Sequence, residues 1–410
     1  MSSNNVNKKN NSSRGHGGMK VVEKPKDFMG SIKKLIGSLR DFKVLIFVAI
    51  VLAGLSSILS LVTPNKLSDL ILYKYKNQKK IIINTSAQPN SSPHLGTITT
   101  LMTVFALASK IRDDLKVETE VQFDELENSP AETIEYNEEI YYKDQRHSFY
   151  QQESKEQINM KRFNKILEKL SVFANIPYSV RSYNEFQKNR YIRKSLINIV
   201  NDKEYFKELL FPSASDLHIR TICPTCGLGK KTIKRLEEKH NKNELILKGY
   251  CPIHGLYEIK VTEENEEYVD INTQFRDLTK GVAMLEEDKK NNTLTIMLDG
   301  GDWSGIWAQR MHTEGLVRLG FNEFPIRFFA PVILDWSGAK FSKSLYLKNG
   351  AYKDINGAFI NYDSFIKCYG DKGIDILWKE VNNWVEDPKK FFRNYSVDYF
   401  QMIMEENNNE

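Results

Sequence analysis

Cysteine is scarce in this chain, with four residues in 410. That is too few for a disulfide scaffold at this length, and their spacing points to metal instead. A conventional cleavable signal is also lacking, because 43 mostly polar residues precede the first long apolar run. Positive charge is not in excess over most of the chain. The formal net charge is +5, but residues 1–80 hold 15 Lys/Arg against 4 Asp/Glu, leaving 43 basic and 49 acidic residues, a net −6, for the remainder. The globular part therefore offers no general polyanion-binding surface by net charge, which leaves room only for a local basic patch. What is present is the composition of a globular protein with disordered additions, 41% hydrophobic and 27% charged, in a length suited to two or three domains.

Residues 1–27 are rich in Asn, Ser, Gly and Lys and are expected to form a disordered basic tail. Residues 28–42 place Phe28, Ile32, Leu35, Ile36 and Leu39 on one helical face and Lys33, Lys34 and Arg40 on the rest. This is a basic amphipathic helix able to lie on an anionic membrane. Twenty uncharged residues follow, Val44 to Thr63. At about 1.5 Å per residue they span a ~30 Å hydrocarbon core, so residues 43–64 read as a single transmembrane helix, with a buried core helix as the alternative. The twenty residues on either side carry six and five Lys/Arg, which sets no orientation under the positive-inside rule. Residues 65–80 read as a linker.

The globular part, residues 81–400, opens on Ile81-Ile82-Ile83-Asn84-Thr85-Ser86-Ala87, a buried strand. A polar loop with Gln88, Pro89 and Pro93 follows, and then a helix with Leu101, Val104, Phe105, Ala108 and Ile111 at spacings of three and four. A strand feeding a loop and a helix N-terminus favours an anion, through unpaired amides and the helix dipole. Gly96 would let a nucleotide lie close to the backbone, with His94 at its edge; an ordinary junction with a capping histidine is the competing view. Val117–Phe123 alternates as a second strand ending in Asp124-Glu125. Open α/β sheets place substrate contacts there, although a solvated loop accounts for two acids equally well. By position and sign, Asp124 and Glu125 would suit a cationic side chain. Residues 131–210 are charged and aromatic-rich, with helical stretches at Met160–Ala174 and Arg190–Leu210.

Cys223-Pro224-Thr225-Cys226-Gly227 and Cys251-Pro252-Ile253-His254-Gly255 are two short-spaced ligand pairs, each on a tight turn, with 24 residues between Cys226 and Cys251. Cys223, Cys226, Cys251 and His254 make a closed tetrahedral set for a structural Zn²⁺ with no open catalytic position. The insertion is bounded as residues 211–270. Cys368 has no partner at ligand spacing. The basic run from Lys230 to His240 suits either nucleic acid or a solvated helix.

A further strand, Leu294–Leu298, runs into Asp299-Gly300-Gly301-Asp302-Trp303, and a helix is expected from about Ser304 to Leu319. Paired glycines at a strand end permit close ligand approach, and the following carboxylate can accept from ribose hydroxyls. Ile326–Leu334 reads as another strand, ending in Asp335-Trp336-Ser337-Gly338-Ala339-Lys340-Phe341-Ser342-Lys343-Ser344. Two lysines three apart among serines make a mobile cationic loop suited to a triphosphate, able to stabilise charge on departing pyrophosphate.

Together these segments resemble the catalytic core of class I aminoacyl-tRNA synthetases, over about residues 81–350. Pro93-His94-Leu95-Gly96-Thr97 looks like that family's His-Ile-Gly-His motif, and Lys340-Phe341-Ser342-Lys343-Ser344 looks like its Lys-Met-Ser-Lys-Ser motif. The zinc-bearing insertion is also similar in position to that of class I lysyl-tRNA synthetase. The resemblance implies an α/β fold: a Rossmann-like parallel sheet split into residues 81–210, with a helical insertion, and residues 271–350, followed by a short helical segment over residues 351–410. It implies amino-acid activation with ATP and Mg²⁺, with tRNA as the usual acceptor. His94, Lys340 and Lys343 would be catalytic. ATP contacts would come from Gln88, Pro93, His94, Gly96, Thr97, Gly300, Gly301, Asp302, Lys340, Ser342, Lys343 and Ser344, and substrate contacts from Asp124, Glu125 and Trp303. ATP chemistry would put the globular part in the cytosol, tethered to a membrane by the single-pass helix.

No Ser/His/Asp or Cys/His set is required, since this chemistry rests on positioning and electrostatics. Two departures stand out. Thr97 replaces the second histidine and brings a hydroxyl without an imidazole, and only 66 residues follow Ser344, where the family carries an anticodon-binding domain. They motivate an alternative, a non-catalytic membrane-tethered scaffold that binds ATP, amino acid or RNA.

Overall fold

The structure is a computed structural model and describes Met29, Gly30, Lys33 and residues 66–144, 155–214, 216–217, 219–230, 237–341 and 356–408. Two compact units divide the chain, Met1–Thr63 and Pro64–Glu410. In the first, Met29, Gly30 and Lys33 are helical. The disordered tail and transmembrane helix expected from the sequence lie outside the described residues, as does most of the amphipathic helix. Among the described residues no helix is long and apolar enough to cross a membrane.

The second unit opens with a 3-10 turn at Leu67–Ile71 whose two named ends are fully buried in the main core. Each of these apolar side chains is worth roughly 1.5–3 kcal/mol when buried. This part of the expected linker is therefore packed structure. Strand β1, Lys80–Ala87, leads through a loop into helix α1, Leu95–Leu115, and then strand β2, Glu118–Glu125. A hairpin of β3, Pro130–Tyr136, and β4, Glu139–Asp144, comes next. Helix α2, Lys155–Ala174, and strand β5, Tyr178–Ser182, precede three helices: α3, Tyr183–Lys188; α4, Arg190–Asn201; and α5, Lys203–Leu210. The expected zinc-binding insertion contains β6, Leu228–Gly229, which pairs with β4, and a ribbon of β7, Glu237–Asn241, β8, Glu244–Cys251, and β9, Gly255–Thr262.

The chain then returns through α6, Thr273–Asn291, β10, Thr293–Gly300, a π-helical turn at Trp307–His312, α7, Thr313–Arg318, β11, Ile326–Ala330, and β12, Ile333–Leu334. Helices α8, Tyr362–Glu386, and α9, Pro388–Phe391, strand β13, Tyr395–Ser396, and helix α10, Val397–Asn408, complete it.

Five strands form a parallel sheet in the order β11-β10-β1-β2-β5. The chain works outward from β1 through β2 to β5, then crosses back to β10 and β11. Strand order thus reverses between β1 and β10, and in such doubly wound sheets the crevice beyond the strands' C-terminal ends at that point receives ligands. Strand β10 is buried from Thr293 to Leu298, as expected where helices cover both faces. Helix α1 is enclosed rather than amphipathic: Met102, Val104, Phe105, Leu107 and Ala108 are all fully buried. Phe365, Leu377, Trp384 and Phe400 of the C-terminal helices belong to the same apolar cluster, so this segment is a layer of the main core.

Three further elements differ from the sequence expectation. The segment after Ser129 begins as a β-hairpin and not as a helical insertion; Asn137 and Glu138 turn it with φ of +50° and +61°, the two positive angles of a type I′ turn. Pro331, lacking an amide hydrogen, stands between β11 and β12 where one strand was expected. The helix expected from Ser304 begins as a 3-10 turn at Gly301–Trp303, breaks at Gly305 with φ of +74°, and continues through the π-helical turn before α7.

Candidate functional site

Two adjoining cavities lie at the reversal point and share Thr85, Ser86, Ala87, Thr100 and Gly300. The first, about 170 Å³, is lined by His94, Gly96, Thr97, Gly301, Asp302, Lys340 and Phe341 among others. His94 is the N-cap of α1, and its Nδ1 accepts a hydrogen bond from Gly96 N at 3.1 Å. That bond requires Nδ1 to be unprotonated, so a neutral ring carries its hydrogen on Nε2. The preceding loop is clamped from two sides: Asn159 Nδ2 donates to Pro89 O at 3.2 Å, and Tyr362 N donates to Ser92 Oγ at 3.0 Å. Across the cavity, Gly301 leaves no space for a side chain. A Cβ there would fall 2.8 Å from Ala330 O and 2.7 Å from Val332 Cγ2.

Lys340 reaches this cavity because the start of its loop is pinned. Asp335 Oδ1 accepts from Ser337 N, Ser337 Oγ and Ala339 N at 2.9, 2.6 and 3.1 Å, and Phe341 N donates to Ile333 O at 2.8 Å. Phe341 is buried and meets the His94 ring edge-on at 5.7 Å between centroids. Lys340 Nζ lies 2.5 Å from Asp302 Oδ2, with both side chains partly exposed. An exposed pair of this kind is worth at most about 1 kcal/mol, so exchanging the carboxylate for a phosphate oxygen costs little.

The second cavity, about 350 Å³, is lined by Gln88, Thr273, Arg276, Asp277, Lys280, Asp299, Trp303 and Arg327 as well as the shared wall. Arg327 donates to Asp277 and to Asp299, both at 2.8 Å, and Trp307 Nε1 donates to Asp277 Oδ2 at 2.7 Å. Burial opposes ionisation of Asp277, but Arg327, His312 and Lys280 overcome it and hold the carboxyl at about 2. Burial pushes Asp299 upward despite Lys280 and Arg327.

His312, in the π-helical turn, is buried with no partner at Nε2 among the described residues, and burial lowers its imidazole to about 4. Between pH 6.5 and 4 the unfolded state takes up a proton that the folded state excludes, so this contribution to stability is complete above about 6.5 and is lost as pH falls towards 4. At pH 5 the loss attributable to His312 is expected to be about 2 kcal/mol. Urea unfolding at pH 7.5 and 5 checks this: His312→Gln should lose that much less stability than the parent, and equal losses would refute it.

The metal set lies apart, between the β3-β4-β6 and β7-β8-β9 sheets. The ligand atoms of Cys223, Cys226, Cys251 and His254 all lie within 4.8 Å of one another. Cys223 Sγ to His254 Nδ1 is 3.7 Å, and Cys226 Sγ to Cys251 Sγ and Cys251 Sγ to His254 Nδ1 are both 3.6 Å. Zinc–sulfur bonds of about 2.3 Å in a tetrahedron put ligand atoms roughly 3.8 Å apart, so the donor set fits Zn²⁺. Nδ1 would be the histidine ligand. The first knuckle closes through Gly227 N donating to Cys223 O at 2.8 Å.

His94, Gly96, Thr97, Gly300, Gly301, Asp302 and Lys340 are thus brought together on the first cavity, while Gln88 and Trp303 line the second. Pro93 is buried and lines neither, and Ser342, Lys343 and Ser344 lie outside the described residues. Asp124 and Glu125 also line neither cavity. Asp124 is fully committed, accepting from Arg181 Nε at 2.8 Å and Nη2 at 3.1 Å and from Asn84 Nδ2 at 3.0 Å, with Lys280 Nζ at 3.5 Å. Burial and the neighbouring Glu127 raise Glu125 to about 7. Sequence reasoning missed Arg276, Asp277, Lys280 and Arg327. The signal for three of them was available: Thr273, Arg276, Asp277 and Lys280 fall at i, i+3, i+4 and i+7, a polar stripe on a helix whose other residues from Phe275 to Met284 are buried.

No protein-family model and no curated protein matches the chain. Solved aminoacyl-tRNA synthetases resemble it in structure at low identity. Methionyl-tRNA synthetase from Mycobacterium tuberculosis, bound by methionyl-adenylate, is 13% identical with a TM-score of 0.42, over 80% of this chain and 68% of that one. A Campylobacter jejuni protein assigned as an arginyl-tRNA synthetase is 13% identical with a TM-score of 0.35, over 82% and 71%. A glutamate tRNA ligase from Elizabethkingia meningosepticum, in complex with its amino acid, is 12% identical with a TM-score of 0.31, and the chain spans about half its length (66% of this chain, 53% of that one). The narrower likeness to a lysyl enzyme finds no support in these comparisons.

Proposed function

We propose that this protein activates an amino acid with ATP, forming an aminoacyl adenylate and releasing pyrophosphate. The observation that carries the proposal is the convergence of His94 and Lys340, 246 residues apart in the chain, on one cavity where the strand order reverses. The amino acid's carboxylate oxygen forms a bond to the α-phosphorus as the bond from that phosphorus to the β-phosphate bridge breaks, and the electron pair leaves on pyrophosphate. Nε2 of His94 would donate to a phosphate oxygen, and the N-terminus of α1 favours the same anion. The Lys340 ammonium, released from Asp302, would stabilise charge growing on the leaving group. The wall shared by the two cavities supports meeting of the two reactants, since a group resting there is open to both sides. Mg²⁺ would arrive on the triphosphate, because Asp302 is the only carboxylate on the first cavity's described lining. tRNA is the acceptor that the sequence resemblance implies.

Exchange of labelled pyrophosphate into ATP, run with each of the twenty amino acids on zinc-replete protein, tests this. Exchange that depends on an added amino acid is expected. Its absence with all twenty would overturn activation and favour the non-catalytic binding scaffold, for which Thr97, lining the cavity without an imidazole, is the specific observation.

A further inference from the structure

The second cavity holds more positive charge than its own carboxylates neutralise. On its lining, Arg327 is shared between Asp277 and Asp299 at 2.8 Å each. Behind the wall, Asp124 serves both Arg181 at 2.8 Å and Lys280 at 3.5 Å. That leaves Arg276. Its side chain is only 9% exposed, it lines the cavity, and among the described residues no carboxylate lies within ion-pair distance of it. Among the described residues its guanidinium donates only to Thr273 Oγ1, at 3.3 Å. Asp277, its neighbour in sequence, is taken by Arg327 and Trp307. Burial lowers the affinity of Arg276 for its proton, and nearby Arg220, itself paired with Asp270 at 2.7 Å, adds repulsion that the more distant charges of Asp277 and Asp270 offset only in part. A guanidinium nevertheless keeps its charge at neutral pH, and a buried unpaired charge is costly until an anion meets it.

The position of Arg276 says which anion. A carboxylate that attacks the α-phosphorus must reach the first cavity, and so belongs at the shared wall of Thr85, Ser86, Ala87, Thr100 and Gly300. Arg276 lines the second cavity alone. It therefore meets a different anionic group of the same substrate. We propose that the activated amino acid carries a carboxylate side chain, of the aspartate or glutamate class, and that Arg276 is the residue that reads it. This rests on the adenylate-forming reading of the site. It also reverses the sign expected from Asp124 and Glu125: Asp124, saturated by Arg181 and Lys280, presents no free negative charge to a cationic side chain. A planar guanidinium suits the bidentate geometry of a carboxylate better than an ammonium would.

The test measures binding separately from turnover. The full-length, zinc-replete protein is titrated calorimetrically with L-glutamate, L-aspartate, L-glutamine, L-methionine, L-lysine and, separately, ATP, and the same amino acids are run in pyrophosphate exchange. One of the two acidic amino acids should bind and support exchange, with the neutral amide at least about 100-fold weaker, because a site built for a charged partner leaves that partner unpaired by an isostere. Arg276→Gln should weaken acidic amino-acid binding by about 100-fold with ATP affinity unchanged, and Arg276→Lys should restore part of the loss. Removing an unpaired buried charge does not threaten folding, and an unaltered thermal transition confirms that the variant is intact. Preferred binding or exchange of a neutral or basic amino acid would overturn the inference. So would undiminished acidic binding in Arg276→Gln, or a loss that falls on ATP, which would make Arg276 a phosphate contact. Arg276-dependent binding of an acidic amino acid with no exchange would support the inference and overturn activation alone.

Discussion

Lys340→Ala is expected to slow amino-acid-dependent pyrophosphate exchange by about 10²- to 10³-fold, the cost of losing one electrostatic stabiliser of developing charge. The loss should fall on kcat, with the dissociation constant for ATP changed only a few-fold. The structure gives the reason for this split. In the resting protein Lys340 is held by Asp302, and the side chain is 47% exposed, so the ammonium has an alternative partner and water before the reaction. Its attraction for a ground-state phosphate is offset by what it gives up. Only when the bond to the β-phosphate breaks does the charge on the leaving group grow enough to favour the exchange of partners decisively. Stability should be unaffected within about 1 kcal/mol, since a surface ion pair contributes no more. Lys340→Arg should keep part of the rate, because it keeps the charge but not the point geometry. Equal losses in kcat and in ATP affinity would show that Lys340 binds ground state and transition state alike, and an unchanged rate would remove it from the chemistry.

The second large effect is on folding. Elemental analysis should find one zinc per chain, and chelation, or Cys226→Ser, should destabilise the ribbon by at least about 4 kcal/mol. The four ligands come from two separate pieces of backbone, the knuckle before β6 and the turn between β8 and β9. The apolar cluster that joins them is small: Tyr141, Leu228 and the two buried cysteines themselves, with Ile134, Cys226 and Tyr257 beside them. So few side chains do not offset the entropy of ordering the two pieces, and a bound Zn²⁺ would supply the difference. Without it, thiols 3.6 Å apart lose the cation that binds them. Hydrogen exchange should show the amides of β8 and β9 opening after chelation while β1 and β10, in the main core, stay protected. Protein free of stoichiometric zinc, or unchanged protection in the ribbon, would remove the metal from the account.

The parts of this protein legible in the sequence are those whose signal is local. The strand, loop and helix around His94 could be read because apolar periodicity and a helix start are properties of about twenty adjacent residues. The metal set could be read because Cys223 with Cys226, and Cys251 with His254, each form half a tetrahedron within one turn. The β3–β4 hairpin escaped because its surface is charged and its turn, Asn137-Glu138, lacks the usual glycine. Leu67 and Ile71 read as linker in the sequence because two apolar residues four apart do not announce what they pack against.

The amino-acid sequence by itself determined the order of the motifs, the metal donors and the residue types available to the two cavities. Only the tertiary structure decided the sign of the charge those cavities present. By its place at a strand end Asp124 would suit a cationic side chain, but folding brings Arg181 and Lys280 to neutralise it. Arg276 has a carboxylate next to it in sequence, and folding gives that carboxylate to Arg327. The physical reason is that a buried charge is set by what lies within a few ångströms in a poorly screening interior, and those neighbours come from strands and helices far apart in the chain.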